Sequence, residues 1–158
     1  MRTATASDAG FLAEMLAVAL DWRPGTSPRP SSELMPIPEI WHYIDGWPRE
    51  GDFGLVAEVL RPVGAVWWRF FDGGDPGYGF VDGVIPEISI GVTNEFRLQG
   101  IGQRLLTELI SEGRARGVPG LCLSVEPDNP ALRLYERFGF ASVGGNGGST
   151  TMLLHLDD

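Results

Sequence analysis

Lysine is absent. All twelve basic residues of the 158 are arginine, which excludes lysine Schiff-base chemistry and the lysine-dependent phosphate loop of P-loop nucleotidases. Cysteine is nearly absent too. Cys122 stands alone, so no internal disulfide can form, and no Cys/His run has zinc-site spacing; no metal is expected, and a reducing, cytoplasmic location is. Positive charge is scarce overall, with twelve arginines against 21 acidic residues for a net charge of −9. A nucleic-acid or anionic-membrane binder needs a positive face, so neither partner is expected. Long apolar runs are also missing. Met15–Leu20 is short and follows Asp8 and Glu14, so neither a signal peptide nor a membrane span is predicted. His42 and His155 have no serine or cysteine placed beside them, which argues against a hydrolase triad.

The hydrophobic fraction of 43% and the charged fraction of 21% are those of a globular protein, and no repeat or long linker divides the chain. One domain, 1–158, is expected, long enough to bury roughly 68–70% of its unfolded surface. Thr3–Ala6 reads as an edge strand, and Ser7 or Asp8 as the N-cap of a helix carrying Phe11, Leu12, Met15, Leu16, Ala19 and Leu20 at helical spacing. Five prolines make 21–38 a loop, followed by a short aromatic helix from Pro38 to about Trp47. Phe53–Leu60 and Ala65–Phe71 read as a hairpin turning at Arg61-Pro62-Val63-Gly64. Asp72–Pro86, with five glycines, is a loop, and Glu87–Val92 a strand. Gly100–Gly117 is the clearest helix, with Ile101, Leu105, Leu106, Leu109 and Ile110 on one stripe and Arg104 and Glu108 at i,i+4 on the wet side. Gly120–Val125 is a strand covered on both faces. Asn129 and Pro130 are N-cap and N1 of a helix ending at Gly139, and Thr150–Leu156 is the last strand. The order gives an α/β or α+β sheet with packed helices.

Chemistry concentrates in Glu87-Ile-Ser-Ile-Gly-Val-Thr-Asn-Glu-Phe-Arg97-Leu-Gln-Gly100-Ile-Gly102. A strand runs into a glycine-bearing loop that becomes a helix N-terminus, where the first four N–H groups lack internal partners and the macrodipole is positive. Gly100 and Gly102 let a bulky anion approach the backbone, and Arg97 and Arg104 add positive charge. Together they suit a diphosphate. The Rossmann fingerprint does not fit, because position 105, three residues after Gly102, is leucine.

Arg97-Leu-Gln-Gly100-Ile-Gly102 resembles the Arg/Gln-x-x-Gly-x-Gly/Ala motif of the GNAT (GCN5-related) N-acyltransferases. Asn129-Pro-Ala131-Leu-Arg-Leu134-Tyr135, with Gly139-Phe140 beyond it, resembles that family's second signature. The likeness covers Glu87–Phe140 closely and Met1–Phe71 by element order alone. It implies a mixed, mostly antiparallel central sheet with helices on both faces, and acetyl-CoA as cosubstrate. By the family's pattern Ile90, Gly91 and Val92 lend backbone groups to the pantetheine arm, and a main-chain N–H near Val92 stabilises the developing oxyanion. Arg97, Leu98, Gln99, Gly100, Ile101, Gly102 and Gln103 would hold the diphosphate. Asn129 would contact the CoA arm, though the same side chain can simply cap its helix. Asn94 departs from the pattern, which commonly has proline there.

Direct acyl transfer needs a neutral amine, and one with a pKa of about 10.4 is neutral only about once in 2,500 molecules at pH 7, a handicap of about 4.6 kcal/mol. A general base therefore matters. Glu87 is the expected base, with an ordinary strand-edge carboxylate as the alternative, and Tyr135 the expected acid for the leaving thiolate, with core packing as the alternative. Trp41, Tyr43, Trp67 and Tyr78 are candidate acceptor-site residues; of the adjacent Trp67 and Trp68, one is expected in the core and the other at the acceptor pocket. The reading is an N-acetyltransferase acting on the primary amine of a small molecule or peptide, in a family where homodimers are common. Its rivals are a non-catalytic CoA-binding sensor or interaction module of the same fold and another kind of nucleotide-binding domain.

Overall fold

The computed structural model describes residues 1–156. It is mixed α/β, with seven strands mostly paired antiparallel and four α-helices. The chain forms two compact units, one of residues 1–68 with 89–109 and the other of 69–88 with 110–156.

The first unit holds β1 (Arg2–Thr3), α1 (Ala9–Leu20), α2 (Pro38–Trp41), β2 (Phe53–Val59), β3 (Arg61–Arg69, to Trp68), most of β4 (Glu87–Val92) and the first part of α3 (Ile101–Ala115). Its strand order is β1-β2-β3-β4. The start of α1 differs from expectation. Ala6–Asp8 forms a 3-10 turn, and Asp8 accepts the Thr5 N–H at 2.7 Å instead of capping the helix after it. The Arg2 guanidinium forms two hydrogen bonds with the same carboxylate, each 2.8 Å, holding the Asp8 carboxyl down at about 2. The aromatic helix is shorter than expected, ending at Trp41.

The hairpin forms, but its turn is displaced. Arg61-Pro62-Val63-Gly64 lies inside β3, and the chain reverses at Leu60, fully exposed with φ +64°. Proline is tolerated here because the ladder is already interrupted: Glu58 pairs with Pro62 and Ala57 with Gly64 across a register shift. Gly91 lets α1 touch β4, since a Cβ there would lie 2.5 Å from the Met15 carbonyl oxygen. Trp67 and Trp68 are both core, each 1% exposed. Their indole N–H groups donate to the carbonyls of Tyr43 at 3.1 Å and Gly51 at 2.9 Å.

The second unit holds the first residues of β4, then β5 (Gly120–Val125), α4 (Ala131–Arg137), β6 (Ala141–Asn146) and β7 (Ser149–His155), in the order β4-β5-β7-β6. Strand β5 pairs parallel with β4 at Glu87 and Cys122 and antiparallel with β7 along its length. Strand β6 was not foreseen. Its sequence, Ala-Ser-Val-Gly-Gly-Asn, has no apolar alternation because all six residues are exposed at a sheet edge.

Candidate active site

In the first unit, β4 ends at Val92, Asn94–Phe96 makes a 3-10 turn, and the chain swings through Arg97–Gly100 into α3. Two residues of the swing are left-handed, Leu98 at φ +62° and Gly100 at φ +80°. Gly100 is required by this conformation and not by crowding, since a Cβ there would meet nothing within 4 Å. Leu98 is fully exposed, so neither a contact nor burial offsets its strain of about 1–2 kcal/mol; residues held this way cluster at ligand clamps.

The first helical bond runs from the Arg104 N–H to the Gly100 carbonyl at 3.1 Å. The N–H groups of Ile101, Gly102 and Gln103 therefore precede the helical ladder, and among the described residues no side chain caps them. Beside them lies an open depression of about 340 Å³ lined by Gln99, Gly100, Gln103, Arg104, Thr107 and Glu108. The lining cation is Arg104. Arg97 is directed elsewhere, its Nη1 donating to the Trp22 carbonyl at 3.4 Å. Free donors, a dipole, a guanidinium and open space together suit a diphosphate.

The second unit carries the expected acid–base groups. Glu87 is no strand-edge carboxylate. It is 3% exposed, and its Oε1 accepts the Gly79 N–H at 3.2 Å. Cys122 lies opposite it in the ladder with its thiol against the Pro86 carbonyl at 3.6 Å. Burial, then the Glu87 charge, pushes that thiol up to about 12, so Cys122 is inert packing. Tyr135 is 7% exposed on α4, its ring 5.9 Å from that of Phe140 at 64°, and burial raises its phenol pKa. Asn129 Oδ1 accepts the Ala131 N–H at 3.0 Å, making the side chain a helix cap.

The candidate acceptor residues separate. Trp67 and Tyr43 are core partners, at 1% and 6% exposure, whereas Tyr78 is exposed and Trp41 half-buried. Sequence reasoning placed Arg104 at the anion site but missed Thr107 as a lining residue and took Glu108 only for the solvated i,i+4 neighbour of Arg104. Their spacing one turn apart on the polar face of α3 was the available signal.

The sequence matches the acetyltransferase (GNAT) family over residues 16–140. No curated protein matches it. Among solved structures, the ribosomal-protein-alanine N-acetyltransferase of Brucella melitensis is similar at 27% identity over 98% of both chains, with a TM-score of 0.69. Salmonella typhimurium yncA, solved with its cofactor acetyl-CoA, shares the fold at 23% identity over 99% of this chain and 93% of its own, TM-score 0.70. The phosphinothricin acetyltransferase of Sinorhizobium meliloti, in complex with AcCoA, does so at 20% identity over 98% and 86%, TM-score 0.66. The chain belongs to the acetyltransferase (GNAT) family.

Proposed function

We propose that this GNAT family member moves the acetyl group of acetyl-CoA directly to the primary amine of a small molecule or peptide. The observation that carries the reading is the uncapped start of α3, three main-chain donors behind a left-handed turn with Arg104 beside them. Acetyl-CoA supplies a thioester-activated acetyl group and a thiolate leaving group. The N–H groups of Ile101, Gly102 and Gln103 bind its diphosphate, and Arg104 neutralises part of that charge. Following the family's pattern, main-chain groups of Ile90–Val92 would hold the pantetheine arm, and a donor near Val92 would stabilise the oxygen on which charge develops.

Tyr135 is the acid in this reading. Its burial-raised pKa keeps the phenol protonated at working pH, so it has a proton to give to the departing thiolate. The excess of acidic residues favours a cationic amine.

Thiol release from acetyl-CoA, followed across a panel of primary amines, tests the reading. Amine-dependent release is expected. Calorimetric binding of CoA with no turnover on any amine would instead mark a binding module, and stabilisation by NAD or ATP but not CoA would overturn the assignment.

A further inference from the structure

We infer that Glu108 is a specificity-determining residue for the nucleoside end of the cofactor, its carboxylate accepting a hydrogen bond from the 6-amino group of adenine. The inference rests on the placement of the diphosphate in the reading above and adds a second point of recognition to it.

Exposure alternates in pairs along the first turns of α3. Leu105, Leu106, Leu109 and Ile110 are buried, whereas Gln103, Arg104, Thr107 and Glu108 are exposed. Residues three and four apart share a helix face, so the four exposed side chains form one stripe, and that stripe lines the depression beside the start of α3. Its two ends differ in chemistry. The end at Gln103 and Arg104 presents N–H groups. At the other end the Thr107 hydroxyl donates its one hydrogen to the Gln103 carbonyl at 2.8 Å, so towards a ligand it only accepts, and the Glu108 carboxylate only accepts as well. The depression therefore suits an anion at the helix start and a hydrogen-bond donor one turn further on, about 7 Å along the axis at 1.5 Å per residue.

Arg104 and Glu108 do not cancel each other. Glu112 and Arg116 have the same i,i+4 spacing and close at 2.9 Å. That pair has the acid first, the favourable order on a helix. Arg104 and Glu108 stand in the reverse order, and among the described residues neither side chain has an ion-pair or hydrogen-bond partner. The carboxylate stays available to a ligand.

The chemistry of CoA decides which donor that is. The pantetheine arm runs back towards β4 in the reading above, so the nucleoside leaves the diphosphate on the α3 side. Beyond the diphosphate it offers a ribose hydroxyl, a phosphate and adenine. The phosphate repels a carboxylate, and the hydroxyl next to it shares that repulsion. The 6-amino group of the base is uncharged, donates two N–H groups and is remote from the phosphate. A hydrogen bond from it to Glu108 is assisted by the carboxylate charge.

The test is calorimetric titration of CoA, and of an analogue whose base is purine and lacks only the 6-amino group, into wild type, Glu108→Gln and Glu108→Ala. Both ligands carry the same phosphates, so any general repulsion by the carboxylate cancels in the ratio of their Kd values. Wild type should bind CoA about fivefold tighter than the purine analogue. In Glu108→Ala the two Kd values should agree within about 1.5-fold, whereas Glu108→Gln keeps an acceptor oxygen and should retain about a twofold preference. Glu108 is exposed, so neither substitution disturbs the core.

Equal Kd values in wild type would overturn the inference, as would a preference that Glu108→Ala leaves intact, since the amine would then be read elsewhere. CoA binding without amine-dependent thiol release would overturn the acetyl-transfer reading alone, and the Kd ratios would still decide the role of Glu108. No heat from CoA in folded wild type would overturn both.

Discussion

The two helices that follow the parallel strands begin in opposite ways. Helix α4, after β5, spends its N-terminal donors on itself: Asn129 Oδ1 takes the Ala131 N–H, and Pro130 has no N–H to satisfy. Helix α3, after β4, keeps its donors open, with Gly100 where a cap would stand and a left-handed turn leading in. A capped start stabilises the fold and leaves little for a ligand. A glycine start gives up only about a few tenths of a kcal/mol of stability and offers three fixed donors to an anion. On the proposed reading, binding falls to the backbone of α3, and α4 acts through a side chain, Tyr135.

The strongest way to break that division is Tyr135→Phe. The account expects kcat to fall by about 100-fold with the Kd for CoA unchanged, since general acid catalysis contributes about 10²–10⁴; stopped-flow thiol release and calorimetry read the two quantities. Next comes Gly100→Val, which forces a β-branched residue into the left-handed region at a cost of about 1–2 kcal/mol. CoA affinity measured by calorimetry should weaken about tenfold or more, with a smaller fall in kcat at saturation.

Helix α1 begins in a third manner, with Asp8 held by Arg2 and Thr5. Its depressed carboxyl stabilises the fold above the ordinary carboxylate pKa of about 3.9, and that contribution disappears as pH falls through about 2. Asp8→Asn should therefore cost about 1–2 kcal/mol near pH 6 once the exposure of Arg2 is discounted, and the gap to wild type should close between about pH 4 and 2. Urea unfolding across that range measures it; a gap constant with pH would contradict the ion pair. The smallest effect is that of Asn129→Ala, a lost cap lowering stability by about 1 kcal/mol with CoA affinity nearly unchanged. A tenfold loss of affinity in that variant would return Asn129 to the ligand side.

Periodicity and local chemistry made much of this legible in advance. Strands β4 and β5 have the predicted bounds, and the stripe of α3 is buried as its spacing requires, with Leu105, Leu106 and Leu109 at 0% exposure. The left-handed turn before α3 was legible for the same local reason, since glycine before a helix start is a backbone property. What escaped was decided by partners distant in the chain. Pro62 and Gly64 signal a turn, yet a register shift opposite Ala57 and Glu58 lets β3 absorb them. Trp67 finds the Tyr43 carbonyl 24 residues away, which places in the core two aromatics read as acceptor contacts. Strand β6 has no apolar face to betray it. The burial of Glu87 depends on a loop whose composition gave no sign of where it would rest.

Isothermal titration of CoA against pantetheine, which keeps the arm but lacks the diphosphate and the nucleoside phosphate beyond it, tests the α3 cradle most directly. The account predicts heat on adding CoA to folded protein and at least about tenfold weaker binding of pantetheine. Equal affinity for the two, or no heat from CoA, would contradict it.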